Sequence, residues 1–408
     1  MLNFLQEFSI SCFLDNNEYE FDKSYECLAG AGVLYAATAH PLNGLSKITE
    51  LQKSYKDWIF GHLSYDAKNE IEELHSAHPD GIQFPEYFFF VPEIVFIIND
   101  RQLQIGTCNV HNADNIYKEI ISATAKRNED HITTELKSRF TKTEYIDTVK
   151  ILRDHILRGD CYEINFCQEF YTDIAEIDPL FVYKQLSKFS PSPFSAFYKH
   201  NDKYLACSSP ERFLKKTGNT IISQPIKGTA KRNTNDVKVD EQQKKDLLND
   251  AKERSENIMI VDLVRNDLSR ICTEGSVFVK DFLRVHSFPH VYQMISTISG
   301  NLKNDILIED IFQATFPMGS MTGAPKKRVM ELIEMYERTK RGLFSGTVGY
   351  INPEGDFDFN VVIRSILYNS SDKYVSIQAG SAITFKSDPE KEYEECLVKI
   401  EALRKVLE

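Results

Sequence analysis

The sequence predicts an α+β fold built on large antiparallel sheets, and three features point there. Short β-branched and aromatic runs broken by turn residues fill the first hundred positions, as in Phe88-Phe89-Phe90-Val91 and Ile94-Val95-Phe96-Ile97-Ile98. Helical periods are interspersed among these long strand runs instead of replacing them. Late in the chain, two strand runs flank Asn352-Pro353-Glu354-Gly355, a good type I turn sequence.

Taken in order, the stretch from Asn112 to Lys137 is polar and helix-prone. A boundary is expected at Asn128 to Thr134, between a mostly β region, 1–133, and a second region, 134–408, of one globular unit. Thr141 and Glu144 have capping-box spacing, and Tyr145, Val149, Leu152 and Ile156 follow at helical intervals up to Gly159-Asp160. A strand is expected over Tyr162 to Tyr171, and a second helix over Asp240 to Leu268. A third helix starts at Pro325, and a last one is capped by Ser387 and Glu390. The residues Phe357, Phe359, Val361 and Ile363 alternate with polar ones from Asp356 to Ile366, which predicts one strand with a polar face.

With 408 residues, 42% of them hydrophobic and 12% aromatic, the chain has ample material for a packed core. A formal charge of −12 argues against nucleic acid as a partner. The eight cysteines are scattered without a C-x-x-C pair, as reduced thiols in a cytoplasmic protein are. No signal peptide is evident, and Pro92 and Glu93 break the most apolar window far below the roughly 20 residues of a membrane span. A soluble protein is expected.

Several segments carry chemistry. In Gln224-Pro225-Ile226-Lys227-Gly228-Thr229 a lysine sits on backbone restrained by proline and opened by glycine. Deprotonated, it is a nucleophile; moving its pKa from about 10.4 to about 7.4 costs roughly 4 kcal/mol. A lysine on a surface turn fits the same residues. Glu211, after Pro210 and beside Arg212, suits general acid–base work or an exposed ion pair. Glu253 and Glu256 share a helix face, and Glu392 and Glu395 repeat the spacing. Two such pairs can hold Mg²⁺, or simply face solvent. Gly319 to Lys326 is a small-residue loop entering a helix, a seat for a carboxylate or an ordinary helix start. Arg364 can clamp a carboxylate or pair with Asp358, and His290 reads most simply as a core histidine.

The combination is more specific than its parts. Gly159-Asp160-Cys161-Tyr162, Ser209-Pro210-Glu211-Arg212-Phe213, Pro225-Ile226-Lys227-Gly228-Thr229, Val261 to Asp267, Gly319 to Lys326, Val362 to Ser365 and Gln378-Ala379-Gly380-Ser381 occur in the order of the chorismate-binding enzymes. From about Thr141 to the end, the chain resembles that family, which includes the large subunits of anthranilate and aminodeoxychorismate synthases and the isochorismate and salicylate synthases. Upstream, Phe60 to Asp66 resembles a segment of the aminating branch.

The resemblance implies large antiparallel sheets packed face to face with helices outside, residues 134–408 forming the chorismate-binding catalytic domain. Anthranilate synthases carry alanine at the place of Lys227, so the lysine is similar to the aminodeoxychorismate branch of p-aminobenzoate and folate synthesis. That implies attack of unprotonated Lys227 on C2 of chorismate, loss of the C4 hydroxyl with Glu211 as acid–base group, and entry of ammonia at C4. The ammonia would come from a glutamine amidotransferase partner subunit. Glu256 and Glu395, with Glu253 and Glu392 beside them, would bind Mg²⁺. Arg364, Ser320, Thr229 and the Gly380 turn would seat the substrate, with His290 lining the pocket. Two positions depart from the family pattern. Glu163 stands where aminating members usually have glutamine and water-using members have lysine, and Ala382 stands where many have a second glycine. The alternatives are anthranilate synthase component I and a non-catalytic chorismate-binding regulatory subunit.

Overall fold

The computed structural model describes residues 1–19, 23–39, 44–108, 111–123, 135–233, 235–288 and 291–408. Both the expected boundary at 128–134 and His290 lie outside them.

Among the described residues two antiparallel sheets form, of eleven and ten strands. Edge to edge, the first runs Gly323–Ala324, Glu163–Thr172, Tyr374–Thr384, Ser365–Asn369, Lys203–Ser209, Phe194–His200, Ile10–Asp15, Cys27–Ala31, Ile94–Asn99 and Gln102–Thr107, with Lys137–Ser138 added beside Glu163–Thr172. The second runs Ile226–Lys231, Val291–Asn301, Thr220–Gln224, Arg212–Thr217, Phe357–Asn360, Thr347–Ile351, Ile59–Leu63, Tyr87–Val91 and Tyr35–Thr38, with Phe278–Ser287 on Val291–Asn301. Strands far apart in the chain lie side by side: Ile10 pairs with His200, and Ile59 with Ile351.

Apolar side chains of both sheets share one core. Cys12, Leu28, Tyr198 and Leu205 of the first pack in the same cluster as Phe60, Phe89, Leu214 and Phe359 of the second. The helix Ala251–Ile271 and the helix Ile308–Thr315 add Ile260, Val264 and Phe312 to this core. The helices Pro179–Phe189 and Pro389–Leu407 cover the first sheet's other face, through Leu186 and Leu403 against Phe197 and Ile377. Apolar area removed from water on both faces of each sheet holds the layers together. No helix among the described residues is long and apolar enough to cross a membrane.

Local signals account for several elements. Thr141 and Glu144 close a capping box on the helix Lys142–Leu157, and the next strand, Glu163–Thr172, follows after five turn and loop positions. The expected helix over Asp240 to Leu268 is instead two, Val237–Asn249 and Ala251–Ile271. Asp250 is extended between them, and its carboxylate accepts from the backbone N–H of Lys252 and Glu253, so capping wins over continuation. The last helix is capped by Asp388 rather than Ser387; the Ser387 hydroxyl accepts from Thr384 N–H and donates to Ala382 O. The single strand expected from Asp356 to Ile366 is also two. Phe357–Asn360 lies in the second sheet and Ser365–Asn369 in the first, and 361–364 cross between them.

Candidate active site

Beyond their shared core, the two sheets also meet near one end of each. The strand Ile226–Lys231 ends the second sheet, and Glu163–Thr172 with Gly323–Ala324 ends the first. Here Lys227 Nζ donates to Glu163 Oε1 at 3.0 Å, with side chains only 10% and 1% exposed. The pairing of Ile226–Lys231 with its neighbour shifts register between Ile226 and Thr229. Gly228 sits in that bulge at φ 95°, where a Cβ would stand 3.2 Å from Glu253 Oε2. Glycine is what the bulge tolerates. Asn257, which the sequence did not single out, anchors this backbone. Its amide donates to Lys227 O (3.5 Å) and Met294 O (3.3 Å), while its oxygen accepts from Ser296 Oγ at 2.6 Å.

Glu211 lies across the site at the entry to the strand Arg212–Thr217, buried, with Oε1 accepting from Ser320 Oγ at 2.6 Å. Burial raises its pKa to about 7, against the Ser320 hydrogen bond and the attraction of Lys227. Ser320 therefore orients an acid–base candidate. The Asn165 amide donates to Ser320 O at 2.9 Å and holds the turn Gly319–Met321.

The lysine is not a free amine here. Burial alone would lower its pKa, but Glu163, Glu256 and Glu211 outweigh burial and hold it above its ordinary value. The sequence reading takes this side chain as unprotonated; in this arrangement its carboxylate neighbours favour the ammonium.

The four helix-borne glutamates line up beside it. Lys252 Nζ stands 2.8 Å from Glu392 Oε1 and 3.8 Å from Glu256 Oε1. Burial raises Glu256 to about 8, with Glu163 and Glu253 adding repulsion. Burial and the charge of Glu395 raise Glu253. Glu395 is pushed up by burial yet ends below its ordinary value, because Lys399 bonds it at 2.7 Å. No three acidic, histidine or cysteine side chains among the described residues are gathered closely enough to enclose an ion. The donor set still suits a hard divalent cation: Glu256 Oε1 and Glu392 Oε2 are buried with no hydrogen-bond partner among the described residues.

The remaining expected residues fall at differing distances from this cluster. Arg364 adopts a left-handed φ of 51° in the crossing segment rather than a strand. Asp358 is bound by Arg212 at 2.9 and 3.0 Å, so the alternative Arg364–Asp358 pair does not form. The Arg364 guanidinium makes no hydrogen bond among the described residues and feels the charge of Glu395, while burial lowers its pKa. Gly380 is not a turn but a mid-strand residue paired with Cys167; a Cβ there would lie 2.4 Å from Cys167 Sγ. Ala382, buried and paired with Asn165, fits the same strand without needing glycine. Thr229 is exposed and paired with Gln293.

With this geometry in view, comparison with known proteins places the chain. The model of the chorismate binding enzyme family matches residues 13–405. Anthranilate synthase component 1 of Aquifex aeolicus is 32% identical over 403 residues, covering 92% of this chain and 81% of that protein. Aminodeoxychorismate synthase component 1 of Salmonella typhimurium is 34% identical over 355 residues, covering 87% and 77%. The crystal structure of anthranilate synthase component I from Streptococcus pneumoniae superposes with a TM-score of 0.75 at 27% identity, over 85% of this chain and 80% of that one. The chain belongs to the chorismate-binding enzymes: it is an enzyme of that family, acting on chorismate.

Proposed function

We propose that this enzyme is the large subunit of aminodeoxychorismate synthase, converting chorismate and ammonia to 4-amino-4-deoxychorismate. The observation that carries the reading is Lys227, a buried amine facing Glu211 across the edge where the two sheets meet. Amination at C4 needs a hydroxide to depart, which is a poor leaving group. A nucleophile at C2 and an acid at the C4 oxygen divide that step in two. Lys227 is the amine for the first role. Glu211, at about 7, is protonated in much of the population near neutral pH and supplies the second. When it donates to the leaving oxygen, the Ser320 hydroxyl at 2.6 Å stabilises the carboxylate left behind.

Glu256 and Glu392, with Glu253 and Glu395, are the residues to hold Mg²⁺, and the bound ion supplies positive charge to a substrate carboxylate. Arg364, with no hydrogen bond of its own among the described residues, is the side chain to clamp the substrate's other carboxylate. Ammonia from a glutamine amidotransferase subunit is the nitrogen source, and added ammonium replaces that partner in the test.

One specific observation favours a second reading, anthranilate synthase: the Aquifex relative matches this chain nearly as well as the Salmonella one, at 32% against 34% identity. Product identity separates the two. Purified enzyme given chorismate, Mg²⁺ and ammonium is expected to form 4-amino-4-deoxychorismate, seen as p-aminobenzoate after addition of the corresponding lyase. Fluorescent anthranilate, or no p-aminobenzoate, rules the reading out.

A further inference from the structure

Glu163 is a buried acid that the reaction as described above leaves without a task. It opens the strand Glu163–Thr172, where its backbone is fixed between Ala324 on one side and Thr384 on the other. Its side chain is 1% exposed; Oε1 accepts from Lys227 Nζ at 3.0 Å, and Oε2 has no partner among the described residues. A buried ion pair with an orphaned oxygen is a poor stabilising device, because desolvation of both charges offsets their attraction. Glutamine would fill the same space and accept the Lys227 hydrogen bond, but it could not take up the proton. The carboxylate therefore calls for a chemical reason.

The charged groups facing Lys227 are Glu163 from the first sheet, Glu256 and Glu253 from the helix Ala251–Ile271, Glu395 from the helix Pro389–Leu407 and Glu211 from the entry to Arg212–Thr217. Glu211 is engaged by Ser320, and the charge of Lys252 lies 3.8 Å from Glu256. Among the described residues, Glu163 is the one side chain hydrogen-bonded to the Lys227 amine.

Resting on the function proposed above, we infer that Glu163 is the proton acceptor that turns the Lys227 ammonium into a nucleophile and returns the proton when the lysine departs. The protons and electrons balance. Lys227 passes one proton to Glu163, and the freed lone pair forms the N–C2 bond. The ring double bonds shift, the C4–O bond breaks, and the hydroxyl leaves as water with the proton of Glu211. Ammonia then bonds to C4, the double bonds shift back, and the N–C2 bond breaks. Glu163 returns its proton to Lys227, and the proton shed by the new amine restores Glu211. Because the Lys227–Glu163 pair keeps one proton throughout, activation of the lysine needs no loss of a proton to solvent.

The test is the pH dependence of kcat/KM for wild type and Glu163→Gln, with chorismate, Mg²⁺ and saturating ammonium. In the variant, Lys227 must lose its proton to solvent before it attacks. The ratio of wild type to variant is then expected to fall about tenfold per pH unit, or about 100-fold from pH 6 to pH 8. The ratio cancels the ionisation of ammonia and of Glu211, which both enzymes share. Glu163→Asp, which keeps a carboxylate, should retain the wild-type profile at a lower rate. A ratio independent of pH, whatever its size, overturns the role of Glu163 while Lys227→Ala remains inactive and the product unchanged. Anthranilate as product, or a Lys227→Ala variant as fast as wild type, removes the functional reading and this inference with it.

Discussion

At the scale of single residues, the site is governed by how burial competes with neighbouring charge. Glu211 shows the balance most simply: burial lifts it to about 7, against the Ser320 hydroxyl and the Lys227 ammonium. Its folded pKa lies above that of an unfolded glutamate, about 4.3. Its contribution to stability is therefore full below the unfolded pKa and is lost as pH rises through about 7. Glu211→Gln removes that loss. We expect the variant to be more stable than wild type at pH 9 by about 4 kcal/mol, and by only about 1 kcal/mol at pH 5. It should also lose about 10²–10⁴-fold in kcat. Denaturant unfolding at the two pH values, with steady-state rates, checks both halves. These partners were not readable from the sequence. Glu211 and Ser320 are 109 positions apart, and only the fold reveals that the serine serves the glutamate. Nor could local pattern reveal that carboxylates from three separate elements converge on Lys227 and keep it charged.

At the scale of elements, what the sequence announced locally is largely what formed. Capping at Thr141 and Glu144 and the strand that follows depend on neighbours within a few residues. Where the reading slipped, a competing local bond decided the outcome. Asp250 could have continued a helix and instead caps a new one, carrying Lys252, Glu253 and Glu256 into place. The bulge at Gly228 has a comparable part, since it lets the strand pass the face of Glu253. Gly228→Ala puts a Cβ at φ 95° and 3.2 Å from both Glu253 Oε2 and Leu247 Cδ1. We expect a loss of about 1–2 kcal/mol in stability, because alanine resists the left-handed region. A larger loss of activity should accompany it, as Lys227 shifts with its strand. A thermal midpoint and a chorismate turnover equal to wild type would show that the bulge does not need glycine.

At the scale of the whole molecule, the active site exists because two sheets bring unlike edges together. Lys227 comes from the end strand of one sheet, and Glu163 from the strand next to the end of the other. Family motifs gave the order of these pieces along the chain. Face-to-face packing of the sheets came only through the resemblance, because pairings such as Ile10 with His200 and Ile59 with Ile351 leave no periodic trace. The functional account gathers on one side chain at that junction. The most direct measurement is the rate at which Lys227→Ala forms 4-amino-4-deoxychorismate from chorismate, Mg²⁺ and saturating ammonium, with wild type run alongside. We expect a folded variant whose rate has fallen by about 10³-fold or more, since it lacks the amine assigned to attack C2. Turnover at the wild-type rate would contradict the account.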